Sequence, residues 1–256
     1  SCSFSLPSGG YGPGNVSISG TVTLDTIPRG SILGTIPNFT MDWAANTGIA
    51  FSVPVTKYYS GYYDVLEIKN GSTLIARREN YISGNVTLSS SELTTAYGSM
   101  ATVNSAAWTF ELKTYNDSSK AAQIGSTSTV ATASISSAGL NPTFSNFTFQ
   151  DIDAVIRNTA VPLTDSAQKI VKGYSDLRVV VPAANKATGN KGASIVKYRL
   201  VVGEKQAEAN YSSNATVSID ISDISSNIFN LYAIDSRNNS ALVTKSPDAY
   251  FNYFPV

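Results

Sequence analysis

Asp64-Val-Leu-Glu-Ile-Lys-Asn-Gly-Ser-Thr-Leu-Ile-Ala76 is the stretch on which the reading of the fold turns. Two β-prone runs flank Asn70-Gly71, a pair that tolerates positive φ at both central positions of a type I′ turn, the turn whose twist matches that of paired strands. The segment therefore predicts a hairpin with Asn70-Gly71 at its tip.

The same grammar extends outward from this hairpin. Upstream, Val16–Leu24 alternates apolar and hydroxyl residues with period two, as a half-buried strand does, and Ile49–Val53 is a further strand candidate. Downstream, Asn85–Ser89, Ala107–Lys113 and the alternating tract between Gly125 and Gly139 read as strands of the same unit. Ser91–Tyr97 is the one helical candidate, with Ser90 or Ser91 as its cap. Gly139-Leu-Asn-Pro142 breaks the pattern. Beyond it, Thr143–Phe149, Leu177–Val181, Ala193–Val202 with a turn at Gly203-Glu204, Ala215–Ile221, Ile228–Ile234 and Ala249–Phe254 repeat the rhythm of short strands and turns. The expectation is an all-β chain of two tandem Ig-like β-sandwich domains, 15–140 and 141–256, behind a Ser/Gly/Pro-rich arm at 1–14.

Composition narrows the function. The net charge is zero and only 14% of the 256 residues are charged, so no field draws the chain to nucleic acid or to an anionic membrane. The cations of Lys186–Lys205 alternate with core positions and read as a solvated hairpin. Histidine is absent, which removes the commonest general base and metal ligand. Cys2 is the single cysteine, so no intrachain disulfide forms. Two distant carboxylates could still meet as in glycoside hydrolysis, but the expectation is a non-enzyme without a cofactor. No basic segment followed by an apolar run precedes the first strand, which leads us to expect a route outside the secretory pathway. The nine Asn-x-Ser/Thr triplets follow from an Asn/Ser/Thr-rich composition.

Three clusters could carry recognition. Tyr58-Tyr59-Ser60-Gly61-Tyr62-Tyr63 sets four amphipathic rings on a Gly-containing loop, and four such close aromatics cannot all face one core. Asp151 and Asp153 offer paired carboxylates near the expected boundary, a weak calcium candidate because six to eight oxygens are needed. Asp235-Ser236-Arg237 reads as a strand-end corner fixed by local hydrogen bonds rather than a ligand site.

Gly20-Thr-Val-Thr-Leu-Asp-Thr-Ile-Pro-Arg29, Val171–Pro182 continuing to Gly192–Tyr198, and Ala233-Ile-Asp-Ser-Arg237 with Thr244-Lys245 and Tyr250–Phe254 occur in one order. Together they resemble minor structural proteins of long-tailed phages of Gram-positive bacteria, a siphovirus tail family of uncharacterised function with Ig-like modules. Relatives carry Asp-Ser-Arg-Gly where this chain has Asn238, a residue that also tolerates the left-handed conformation. The resemblance implies a structural virion protein of a tail, baseplate or appendage, made in the host cytoplasm. It would pair with other tail proteins and with copies of itself. Host adhesion through cell-wall polysaccharide at the Tyr loop is the alternative, and a bacterial Ig-like adhesin a third reading.

Overall fold

A computed structural model describes residues 28–42, 49–136 and 140–252. The expected arm at 1–14, the Val16–Leu24 strand, Cys2, the start of the 138–142 boundary and the last aromatics of the chain lie outside the described residues.

The N-terminal strands are β1 (Ser31–Ile32), β2 (Phe39–Met41), β3 (Ala50–Val53), β4 (Val55–Thr56), β5 (Tyr63–Asn70), β6 (Thr73–Arg78) and β7 (Gly84–Thr87). Helix α1 (Ser90–Ser99), β8 (Ser105–Tyr115) and β9 (Gln123–Ile135) follow. A five-stranded sheet runs β2-β9-β8-β5-β6, with β2 parallel to β9 and the rest antiparallel. Period-two alternation turns Trp108, Phe110 and Leu112 of β8 to one face, where they meet Leu66, Ile68, Ala131 and Ala133. The facing layer holds the β3–β7 ribbon, with Phe51, Val53 and Val86, and the Leu93, Ala96 and Tyr97 side of α1. Phe39 stacks on Phe51 at 4.8 Å and meets Trp108 edge-on at 5.3 Å.

The hairpin forms, but its tip is one residue later than the sequence suggests. Asn70 pairs with Thr73, so Gly71 (φ +56°) and Ser72 make the turn. Asn70 stays in the ladder because its Nδ2 donates to Ser99 O and Oγ, both at 3.0 Å. A bulge between Ile68 and Lys69 absorbs the shift and lets Ile75 and Ala76 both bury. The helix cap is likewise displaced, to Ser89. Its Oγ accepts from Glu92 N while Glu92 Oε2 accepts from Ser89 N at 2.8 Å, a reciprocal capping box.

In the C-terminal part the strands are β10 (Thr148–Asp151), β11 (Lys169–Val171), β12 (Leu177–Val181), β13 (Ile195–Val202), β14 (Lys205–Asn210), β15 (Val217–Ile221), β16 (Phe229–Asp235), β17 (Ser240–Lys245) and β18 (Ala249–Phe251). The 143–149 candidate pairs only from Thr148, Thr143 making a lone bridge to Thr188. One sheet runs β10-β12-β15 and the other β14-β13-β16-β17. Leu177, Val179, Ile219 and Ile221 of the first pack with Tyr198, Leu200, Phe229 and Leu231 of the second. Lettered in chain order without β11 and β18, which form a separate parallel pair, this is an Ig-like sandwich whose fourth strand has moved from the ABED sheet to the CFG sheet. The β13–β14 hairpin turns at Gly203-Glu204, and Lys197 and Arg199 on its outer face pair with Glu208 at 2.7 and 2.6 Å. Among the described residues no sheet takes strands from both parts, and the two parts have separate hydrophobic clusters.

Candidate functional site

The Tyr loop joins β4 to β5. Tyr58 and Tyr59 are 66% and 59% exposed, Tyr62 and Tyr63 half-buried. Tyr59 meets Tyr62 edge-on at 5.2 Å, and Tyr62 N donates to Tyr59 O at 3.1 Å, so the turn holds the ring pair upright. Tyr63 begins β5, with the Lys120 ammonium 5.9 Å from its ring centroid. The four tyrosines thus divide into two presented to solvent and two anchoring the loop.

Asp151 and Asp153 serve the chain itself. Asp151 is buried, Oδ1 accepting from Asp153 N at 3.0 Å and Oδ2 from Ser175 Oγ at 2.7 Å. Burial raises its carboxyl above the ordinary range against those hydrogen bonds. Asp153 Oδ1 accepts from Val155 N and Ile156 N, fixing the turn that follows. Among the described residues no three His, Cys, Asp or Glu side chains gather as a metal site.

Glu67 and Glu111 stand opposite each other on β5 and β8. Lys69 Nζ lies 2.7 Å from Glu67 and 3.0 Å from Glu111, and Lys113 lies 2.7 Å from Glu67. Burial raises the Glu67 carboxyl, but the two lysines outweigh it and hold the group below the usual carboxylate range. Glycosidic chemistry needs one acid raised and protonated; Glu67 is driven the other way.

The Asp235-Ser236-Arg237 corner reaches much further than a local turn. Asp235 Oδ1 accepts from Arg237 N and Asn239 N at 2.9 and 2.8 Å, and Asn238 takes φ +65°. Arg237 is buried and donates from Nε to Met100 O (2.8 Å) and from Nη2 to Tyr97 O (3.0 Å), carbonyls at the end of α1. It also donates to Asn190 O and Lys191 O in the loop before β13. Ser236 Oγ adds a bond to Ala101 O. A guanidinium is favourably placed at the negative end of a helix, and here it shares its carbonyls with backbone amides, Met100 N donating to Tyr97 O and Val103 N to Met100 O. Burial lowers the Arg237 pKa from its ordinary value, yet arginine keeps its proton in proteins. Gly192 (φ +82°) completes the contact: a Cβ there would come within 3.1 Å of Gly98 Cα. Beside the clamp, a groove of about 510 Å³ is lined by Leu93, Thr94, Tyr97, Lys191 and Gly192, among others.

One surface was not anticipated by the sequence reading. Val155, Val161, Leu163, Tyr174 and Phe251 are each between 46% and 73% exposed. Two depressions, of about 380 and 230 Å³, join Val155, Leu163, Tyr174 and Phe251 through shared Leu163 and Val171. The signal lay in Val155 and Val161-Pro-Leu163, apolar residues inside a segment with no strand period.

Among solved structures, three bacterial matches illustrate the likeness. An ice-binding adhesin aligns at 11% identity and TM-score 0.32, over 87% of this chain and 66% of its own. A calcium-stabilised ice-binding adhesin of an Antarctic bacterium aligns at 13% and 0.30, over 86% and 49%. The fibronectin(III)-like modules of Clostridium thermocellum CbhA align at 11% and 0.26, over 86% and 95%. This chain therefore spans less than two thirds of either adhesin, and scores this low carry no argument about function. No curated protein matches. The family model described as siphovirus protein of unknown function (DUF859) matches residues 1–240, and the chain belongs to that family.

Proposed function

We propose that the chain is a structural component of the phage virion, in the tail, baseplate or an appendage, assembled with other virion proteins and with copies of itself. Membership of a siphovirus family supports a virion role, and the carrying observation is the apolar surface of Val155, Val161, Leu163, Tyr174 and Phe251. Exposed apolar patches of this kind mark protein–protein contacts. No catalytic step is assigned to it. Mass spectrometry of purified particles tests the proposal. Presence at a copy number in multiples of three or six is expected of a symmetric tail part; absence from the particle overturns it.

A second reading, host adhesion at polysaccharide, is favoured by Tyr58 and Tyr59 alone, two rings held out to solvent by their loop. Cell-wall pull-down should then fall on Tyr58→Ala with Tyr59→Ala. Unchanged retention removes this reading and leaves the structural one intact.

A further inference from the structure

The outer face of the β14-β13-β16-β17 sheet carries a depression of about 340 Å³ lined by Arg199, Val201, Gln206, Tyr232, Ile234, Asn238 and Ser240. Pairing along the sheet explains why it is there. Arg199 lies between Glu208 and Tyr232 in one row across three strands, and Lys197 lies in register with Ile234, itself opposite Ser240. Toward the β14 edge the polar groups are used: Glu208 takes both Lys197 and Arg199 Nε. Beside the depression Thr244 Oγ1 donates to Asn230 Oδ1 at 2.8 Å. Within the depression the pattern stops. The terminal nitrogens of Arg199, the amides of Gln206 and Asn238, and the hydroxyls of Tyr232 and Ser240 have no hydrogen-bond partner among the described residues.

We infer that this depression is a binding site for a neutral saccharide unit. Its lining is mainly polar, which disfavours an apolar ligand. It mixes donors and acceptors, since the two amides and two hydroxyls can each do both, and that mixture suits adjacent sugar hydroxyls. Glu208 offsets one of the two neighbouring cations, so there is no concentrated positive field for a polyanion. Tyr232 supplies a half-buried ring for the apolar face of a sugar. Most of the lining comes from paired strands, which fix it better than a mobile loop would. The site is independent of Tyr58 and Tyr59.

Saturation-transfer NMR on the full chain with maltotriose, cellotriose and chitotriose as probes tests it. At least one probe should give transfer, and Tyr232→Ala should weaken its Kd by about tenfold. Asn238→Gly is the control for folding: glycine takes the φ of +65° freely, so the turn survives while the amide is lost. It too should weaken binding. No transfer from any probe overturns the inference. So does transfer that both variants leave unchanged, or transfer lost only with Tyr58→Ala and Tyr59→Ala, which would assign sugar binding to that loop instead.

Discussion

Arg237 answers two carbonyls in each part of the chain, and its N-terminal partners lie 137 and 140 positions away. Removing it takes four hydrogen bonds to a cation out of a buried place, although backbone amides still reach Tyr97 O, Met100 O and Asn190 O. Hydrogen bonds to charged groups are individually strong, so Arg237→Ala should cost roughly 3 kcal/mol or more. Arg237→Lys should recover only part, because an ammonium cannot reproduce the planar fork. Calorimetric melting of the three proteins measures this. The neighbouring Asn238 makes a different prediction. At φ +65°, Asn238→Gly should leave stability within about 0.5 kcal/mol, whereas Asn238→Val should cost about 1–2 kcal/mol in backbone strain. Thermal midpoints separate the two. The left-handed position was legible in the sequence, since Asn replaces a glycine of the family pattern. The clamp was not: nothing in Asp-Ser-Arg names carbonyls so distant in the chain.

At the scale of elements, β5 and β6 show how local signals can be right in kind and one residue wrong in place. Asn-Gly marked the hairpin, but the pull of Ser99 on the Asn70 amide and the burial of Ile75 moved the tip to Gly71-Ser72. Gly71→Ala should therefore destabilise by about 1 kcal/mol, since a Cβ strains the backbone at φ +56°, and denaturant unfolding would show it. The helix start was read within a residue or two because the capping box is a sequence pattern. β14 and β17 escaped notice because edge strands present small or mixed residues, such as Ala207 and Ala209, inward. The parallel pairs β2–β9 and β11–β18 join segments far apart and leave no local trace. Glu92 links helix to sheet: Arg78 grips it at 2.6 and 2.9 Å, and this pair holds its carboxyl below the ordinary value of 4.5. A depressed carboxylate stabilises the fold above the unfolded pKa, and that contribution drains away as pH falls below 4.5 through the folded value. Glu92→Gln should lose about 1 kcal/mol at neutral pH, and less as the medium is acidified below 4.5. Urea midpoints across pH 3 to 7 would check the sign, at roughly that resolution.

For the whole molecule, the all-β class followed from strand rhythm and a composition poor in helix formers, and the described strands and lone α-helix agree with it. We propose that the two hydrophobic clusters correspond to the two domains read from the sequence, with their boundary near 138–142. If so, the intact chain should melt in one coupled transition and Arg237→Ala in two. A single calorimetric peak in the variant, with van't Hoff and measured enthalpies equal, would count against separate units. The apolar surface of the C-terminal part and the free polar groups on its outer sheet were beyond sequence reading, because both depend on which residues a loop or strand leaves uncovered.

The Arg237 clamp also bears on how such a chain would hold on to its neighbours. Two surfaces joined by a free swivel sample many separations, and each contact must be won almost independently. Fixing the angle means that once one surface engages, the second is already at its proper reach, so its local concentration is high only for partners spaced to match. Weak contacts then add into lasting attachment on a regular lattice and stay weak on an irregular one. A single buried arginine would thereby act as a ruler, setting which spacing of neighbours the chain can recognise.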